Sequence, residues 1–380
     1  MNIQKQPAAM SLSDFLQAKA GQKGIPLSGT FELSPVCNLS CRMCYVRKTQ
    51  QEVDCHSRAI LTLEQWLDIA RELKDAGTLY LLLTGGEPLL WPRFWELYEQ
   101  LVDMGFLVSI NSNGSLINDQ AVERFLRRPP RQINITLYGA GTDSYRDLCG
   151  NGRAFTAVEQ ALEKLQTAGI PVKLNCSVTP QNGADMEKII RYAKDRDLVL
   201  SVNTYMFPPI RRDPSMVGQN ERFTPEESAR YQMRYLELDR GPEAYRNHLE
   251  SILRGSAQPP GLEEGCIDPL DGQLRCRAGK TSFWISWDGW MMACGMIPKP
   301  QVDLKEVSFL EGWQQLREEA AKIQLSGVCS RCPSRGVCHP CAAIACAETG
   351  ECGGIPQYMC QAVQEMYRIA QQTLHQDCEK

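Results

Sequence analysis

The chain has 380 residues, 41 Lys and Arg against 45 Asp and Glu, and a net charge of −4, with 43% hydrophobic residues. That length supports two domains and a sizeable core, and the near balance of charge argues against a nucleic-acid surface or a polybasic membrane anchor. The amino-terminal run MNIQKQPAAMSLSDFLQ has no apolar core of signal-peptide length, and apolar stretches such as Leu79 to Leu83 are too short to span a bilayer, so a reducing cytoplasm is the expected setting.

Residues 1–28 form an N-terminal extension. Short apolar or alternating runs then predict strands at Thr30–Ser34, Thr78–Leu83, Leu107–Ser112, Gln132–Tyr138, Val172–Thr179 and Leu198–Phe207. Between them lie helical stretches: one opened by the capping box TLEQ at Thr62, then Arg93–Met104, Asp119–Leu126, Ala154–Ala168 and Ala184–Arg196. Gly77, Gly105 and Gly169 sit where a left-handed helix cap precedes a strand. Six strand–helix alternations imply parallel strands with right-handed crossovers. Six units fall short of a closed eight-unit barrel, so the expected α/β fold over residues 29–215 is a partial (β/α)6 barrel.

The run FPPIRRDPSMVGQNERF has no periodicity and reads as a loop leaving the barrel, with Arg211 and Arg212 on a solvated surface. A second capping box, Thr224-Pro225-Glu226-Glu227, starts a helix running to Asp239, and Gly255–Gly265 reads as a linker, so residues 216–262 bridge two domains. Residues 263–380 hold most of the seventeen cysteines. An odd count in a long chain argues against a disulfide framework.

Cys37, Cys41 and Cys44 make a CxxxCxxC loop after the first strand. Thiolates so spaced suit three irons of a four-iron cluster, leaving one iron open to a chelating ligand; zinc is the alternative metal. Thr84-Gly85-Gly86-Glu87-Pro88 ends the second strand, where barrel active sites form. Its two glycines would let backbone approach a ligand closely, and Glu87 can pair with an ammonium group. The alternative is a plain strand-ending turn. Further on, Cys276-x12-Gly289-x4-Cys294 is followed by Cys329-x2-Cys332-x5-Cys338-x2-Cys341 and then Cys360. Zinc knuckles are the alternative for these pairs. Trp284, Trp287 and Trp290 predict a hairpin turning at Asp288-Gly289.

The CxxxCxxC loop and the GGEP turn together resemble the radical S-adenosylmethionine (SAM) enzymes. SINSNGSLI and the stretch Ile135–Asn182 extend the likeness. Met43 departs from the family, which often has an aromatic residue at that place. The resemblance implies a [4Fe–4S] cluster on Cys37, Cys41 and Cys44 that binds SAM. It implies cofactor contacts from Gly85, Gly86, Glu87 and Pro88, and from Thr136 and Asn175 near the ribose or carboxylate, unless those two inward residues satisfy one another. It implies one-electron cleavage to a 5′-deoxyadenosyl radical that takes a hydrogen atom from the substrate.

The C-terminal cysteines resemble a SPASM domain with two auxiliary [4Fe–4S] clusters, although the final spacing of the quartet is two where three is usual. By that likeness Cys329, Cys332, Cys338 and Cys360 hold the outer cluster, and Cys276, Cys294 and Cys341 the inner one, with Cys266 a candidate fourth ligand. Cys346 and Cys352 are surplus, Cys352 being an alternative to Cys360; Cys55, Cys149, Cys176 and Cys378 read as ordinary thiols.

Two extra clusters offer an exit for an electron. The expected activity is therefore an oxidative crosslink, thioether or carbon–carbon, in a ribosomally made peptide. The expected partners are a flavodoxin or ferredoxin-like electron donor and a separate leader-binding protein, since the first strand begins near Thr30. Sulfatase maturases carry Asp immediately after the Gly-x4-Cys cysteine, where this chain has Gly295. That reading and a small-molecule substrate are the alternatives among enzymes. A non-catalytic iron–sulfur carrier or a zinc-stabilised binding module needs neither the GGEP turn nor a barrel.

Overall fold

A computed structural model describes residues 11–255 and 276–378, with side chains to residue 376. Cys266, the linker from residue 256 onward and the Cys378 side chain lie outside the described residues.

The six predicted strands are present as β1 (Ser28–Glu32), β2 (Tyr80–Thr84), β3 (Leu107–Ser112), β4 (Gln132–Thr136), β5 (Val172–Ser177) and β6 (Val199–Asn203). They pair in parallel in sequential order. Helices Leu63–Asp75, Phe94–Asp103, Asp119–Arg127, Ala154–Thr167 and Met186–Lys194 form the crossovers. The Thr62 capping box is made in full. Gly77, Gly105 and Gly169 take the left-handed conformation with φ of 90, 95 and 68°.

Strand alternation divides the sheet. Phe31, Leu83, Ile110 and Ile133 are register partners across β1 to β4 and fully buried under the helices. Phe31 meets Trp66 with ring centroids 4.5 Å apart. The alternate positions carry Thr30, Glu32, Ser109, Asn111, Asn134, Thr136 and Asn175, so the concave face is polar. Asn134 Nδ2 donates to Asn111 Oδ1 at 2.8 Å across the β3–β4 pair.

The sheet does not stop at β1. From the cysteine-rich part, β7 (Ser282–Ile285) pairs parallel with β1, and β8 (Trp290–Met292) and β9 (Gln301–Asp303) continue antiparallel, giving a sheet of nine strands among the described residues. The tryptophan hairpin turns at Gly289, whose φ is +95°. Beyond the barrel, helices Pro225–Arg240, Pro242–Leu253 and Gln357–Cys378 pack together. Among the described residues no helix is long and apolar enough to cross a membrane.

Candidate active site

The CxxxCxxC loop leaves the carboxyl end of β1 and is closed by a bridge between Val36 and Lys48. Its middle is pinned to the end of helix Thr142–Cys149: Ser40 N–H donates to Cys149 O at 2.8 Å and Arg42 N–H to Leu148 O at 3.1 Å. Each thiol has its own donors. Leu39 N–H reaches Cys37 Sγ at 3.4 Å, Asn113 Nδ2 reaches the same sulfur at 3.7 Å, and Arg47 N–H reaches Cys44 Sγ at 3.3 Å. Cys41 accepts from the Cys149 thiol and the Tyr138 hydroxyl, which lowers its pKa. Cys149 is therefore more than an ordinary buried thiol. Burial pushes Cys37 up to about 12 and raises Cys44. These two are neutral thiols without metal, and loading iron must release their protons.

Three thiols on one loop, each accepting hydrogen bonds at sulfur, fit a thiolate-bound cluster, whose potential such hydrogen bonds tune. No three His, Cys, Asp or Glu side chains among the described residues form a ready-made cage for one metal ion. A cube binds each thiolate at a separate iron, so its ligands stand further apart than those of a single ion.

The GGEP turn lies directly against this loop. Gly86 N–H donates to Ser34 O at 2.7 Å and Glu87 N–H to Val36 O at 3.0 Å. A Cβ on Gly85, at φ +151°, would stand 2.4 Å from Ser34 O, and one on Gly86 2.4 Å from Val36 O. The sequence suggested that these glycines clear room for a ligand; the structure shows them clearing room for the chain that carries Cys37.

Glu87 is fully buried. It accepts from Ser112 Oγ at 2.8 Å, Asn113 N–H at 2.8 Å and Leu89 N–H at 3.2 Å. An ionised carboxylate has about four acceptor sites, so these donors leave roughly one. Burial pushes Glu87 up to about 7, and no cation is among the causes that act on it. A buried carboxylate without a cationic partner suits an ammonium group. Pro88 opens a short 3-10 turn capped by Glu87 itself.

Asn113 is the residue that sequence reasoning missed. Its N–H binds Glu87, its Nδ2 binds Asn38 Oδ1 at 2.8 Å as well as Cys37, and its Oδ1 accepts from Ser115. It joins the end of β3 to both motifs. The Asn-Gly turn in SINSNGSLI was the available signal.

Thr136 and Asn175 are register partners on β4 and β5, on the polar face. A cavity of about 580 Å³ lies elsewhere: it runs from the amino ends of the strands at Ser28, Tyr80 and Gln132 up to Cys276 and Cys294. Neither Glu87 nor the three loop cysteines line it.

Between the loop and the C-terminal cysteines stands a buried group. Arg211 donates both terminal nitrogens to Glu32 at 2.9 Å, and Trp284 Nε1 donates to the same carboxylate at 3.0 Å. Glu32 is 1% exposed and the Arg211 side chain 12%. Arg211 thus corrects the expectation of a solvated loop: the β1 carboxylate draws it inward. Tyr45 lies within electrostatic reach of Glu32, Arg211, Cys44 and Cys294, and burial raises its pKa.

The C-terminal cysteines fall into two neighbourhoods. Cys294 lies within electrostatic reach of Cys341 and Cys276, and Cys341 of Cys276. Cys329 lies within electrostatic reach of Cys360 and Cys332, and Cys360 of Cys332. Cys338 ends a short helix, Arg335–Cys338, that packs on the helix bearing Cys360. His339, just beyond it, takes φ of 47°. That left-handed turn lets Cys338 and Cys341 part toward different neighbourhoods despite the short spacing.

Residues 31–193 match the model of the Radical SAM superfamily. Residues 31–193 are thus a radical SAM domain, of a superfamily that binds a [4Fe–4S] cluster and SAM. The chain is 28% identical over 323 residues to "Mycofactocin maturase MftC" of Mycobacterium tuberculosis, covering 83% of this chain and 77% of that protein. It is 25% identical over 331 residues to "AdoMet-dependent heme synthase" of Methanosarcina barkeri, covering 84% and 92%. Among solved structures, its fold is similar to anSMEcpe with bound AdoMet (TM-score 0.67, 17% identity, 93% of this chain and 99% of that one). It is also similar to Streptococcus suis SuiB bound to precursor peptide SuiA (TM-score 0.63, 18% identity, 95% and 84%).

Proposed function

We propose that this chain is a peptide maturase that installs an oxidative crosslink, thioether or carbon–carbon, in a ribosomally made peptide. The observation that carries the reading is the pair of cysteine neighbourhoods beside the barrel, around Cys276, Cys294 and Cys341 and around Cys329, Cys332 and Cys360. In this reading residues 29–215 are the radical domain, 216–262 the bridge and 263–380 a domain carrying two auxiliary [4Fe–4S] clusters. The likeness to MftC and to the peptide-bound SuiB structure supports a peptide substrate.

When bound at Cys37, Cys41 and Cys44, cluster and SAM together supply a 5′-deoxyadenosyl radical that removes a hydrogen atom from a substrate carbon. The protein's own residues do the rest. Glu87 holds the ammonium end of SAM, and Asn113 keeps that carboxylate in register with the loop. Thr136 and Asn175 face the ribose or carboxylate. To give a crosslink the substrate radical would shed an electron and the substrate a proton, and the C-terminal thiols would hold the groups that accept the electron. Tyr45, Glu32, Arg211 and Trp284 fill the space between loop and acceptor, which keeps water out of that route. A flavodoxin or ferredoxin-like protein supplies the first electron, and a separate protein presents the peptide leader.

The likeness to the heme synthase, which extends over 92% of that protein, favours a second reading in which the substrate is a heme precursor. Co-expression with short peptides encoded beside the gene, followed by mass spectrometry, separates the two: loss of two hydrogens from a peptide is expected, and turnover of a heme precursor with no change in any peptide would overturn the first. The radical site is tested by replacing Cys37, Cys41 and Cys44 with Ala. Formation of 5′-deoxyadenosine under dithionite should cease. Iron should fall from about twelve to about eight per chain, as expected for losing one of three four-iron clusters.

A further inference from the structure

We infer that Cys352 is the fourth thiolate of the inner auxiliary cluster, completing the set Cys276, Cys294 and Cys341. This rests on the iron–sulfur reading given under Proposed function. Cys294, Cys341 and Cys352 pack against one small core made by Ile297, Leu325, Ala342 and Ala343, distinct from the main core. Cys352 also lies within electrostatic reach of both Cys341 and Cys294. Cys360, by contrast, stands with Cys329 and Cys332, so the outer position that Cys352 would have filled already has its thiol.

The local chain explains the placement. Helix Ala342–Thr349 begins just after Cys341 and ends at Gly350, whose φ of 83° reverses the chain. Gly354 then packs so tightly on Thr349 that a Cβ there would lie 1.9 Å from its Oγ1. The reversal carries Cys352 back along the helix, where its thiol hydrogen-bonds Cys346. Cys346 is 5% exposed and lies behind it. On ligation the Cys352 S–H would give its proton to solvent as the S–Fe bond forms, while the Cys346 thiol donates to Gly350 O at 4.0 Å. Four thiolates close a four-iron cluster. Such a cluster passes electrons but offers no iron to substrate.

The test uses the full chain in the background where Cys37, Cys41 and Cys44 are Ala, so that only auxiliary clusters remain. After anaerobic reconstitution, iron, sulfide and the EPR signal of the reduced protein are measured with and without added imidazole. Cys352→Ala should lose about four of about eight irons, or gain an imidazole-sensitive signal. Cys352→Ser, which keeps a ligand of nearly the same shape, should keep the iron and shift the signal. Cys266→Ala and Cys346→Ala should keep both iron and signal. Loss or imidazole sensitivity in Cys266→Ala, or an unshifted signal in Cys352→Ser, overturns the assignment. A background protein that holds zinc and no sulfide overturns the iron–sulfur reading itself, which is a different result.

Discussion

Glu87 shows how a single side chain serves two motifs at once. Three donors hold it, and an amide in its place has one oxygen, so Glu87→Gln turns an NH2 toward at least one of them. It also removes the charge that an ammonium group needs, a charge-assisted bond worth about 1.5–3 kcal/mol. SAM affinity should fall about ten-fold or more, read by titrating SAM against the cluster's EPR signal; unchanged affinity in a folded variant would reduce GGEP to a turn. The pH dependence follows from the shift from 4.5 to about 7. The folded chain keeps a proton that the unfolded chain loses above about 4.5, so this stabilisation is complete below that pH and is lost as pH rises through about 7. The urea midpoint of the cofactor-free protein should therefore decline more between about pH 5 and pH 8 than that of Glu87→Gln. SAM affinity should run the opposite way, strengthening as Glu87 ionises.

At the scale of elements, two ion pairs of similar chemistry differ in what they hold. Arg42 and Glu221 meet at 3.4 Å with side chains 56% and 59% exposed. Such surface pairs contribute about 0–1 kcal/mol. Arg222 and Glu348 are 9% and 7% exposed. Glu348 also accepts from the Tyr205 hydroxyl at 2.6 Å, and the Arg222 guanidinium stacks 4.1 Å from the Tyr358 ring. This group ties the chain beyond β6 to helix Ala342–Thr349 and to the long C-terminal helix. Removing one member strands a buried charge, so Glu348→Ala should cost about 3–5 kcal/mol, whereas Glu221→Ala should stay within about 1 kcal/mol. Equilibrium urea unfolding of both variants checks the contrast. The elements themselves were largely legible: alternating apolar runs and capping boxes mark all six barrel strands and five crossover helices. Helices Leu12–Lys23, Thr142–Cys149 and Pro242–Leu253 were not, and the first of these has little segregation of polar and apolar faces. Arg211 was misjudged because Pro208, Pro209 and a second arginine surround it in sequence, while its partner Glu32 lies on a strand far upstream.

At the scale of the molecule, the two regions separated by composition share one sheet. β7 pairs with β1 from Ser28↔Ser282 to Phe31↔Ile285. Arg58 grips Asp303 through two bonds of 2.6 Å and lies 4.5 Å from the Trp290 ring, clamping the hairpin to the loop ahead of the first crossover helix. Sequence reasoning found the barrel and the hairpin but not their union, because a four-residue strand shows its pairing partner nowhere in its own pattern. A chain ending at residue 255 would leave β1 as an open edge and Glu32 without Arg211's neighbour Trp284. Exposed parallel edges invite association, so this truncation should elute as oligomer or aggregate on gel filtration, where the full chain should not. A monodisperse truncation with SAM cleavage intact would make the hairpin an accessory.

The same pairing sets an order in time. Glu32 and the Trp284 that bonds it are 252 residues apart. At about 5–20 residues per second, the ribosome needs on the order of ten seconds to a minute to pass from one to the other. Until β7 emerges, β1 has at most β2 beside it. The loop of Cys37, Cys41 and Cys44 has by then long emerged, with its GGEP and Asn113 supports close behind. The nascent chain can therefore present its three loop thiols to a cluster-delivery protein before its sheet is whole.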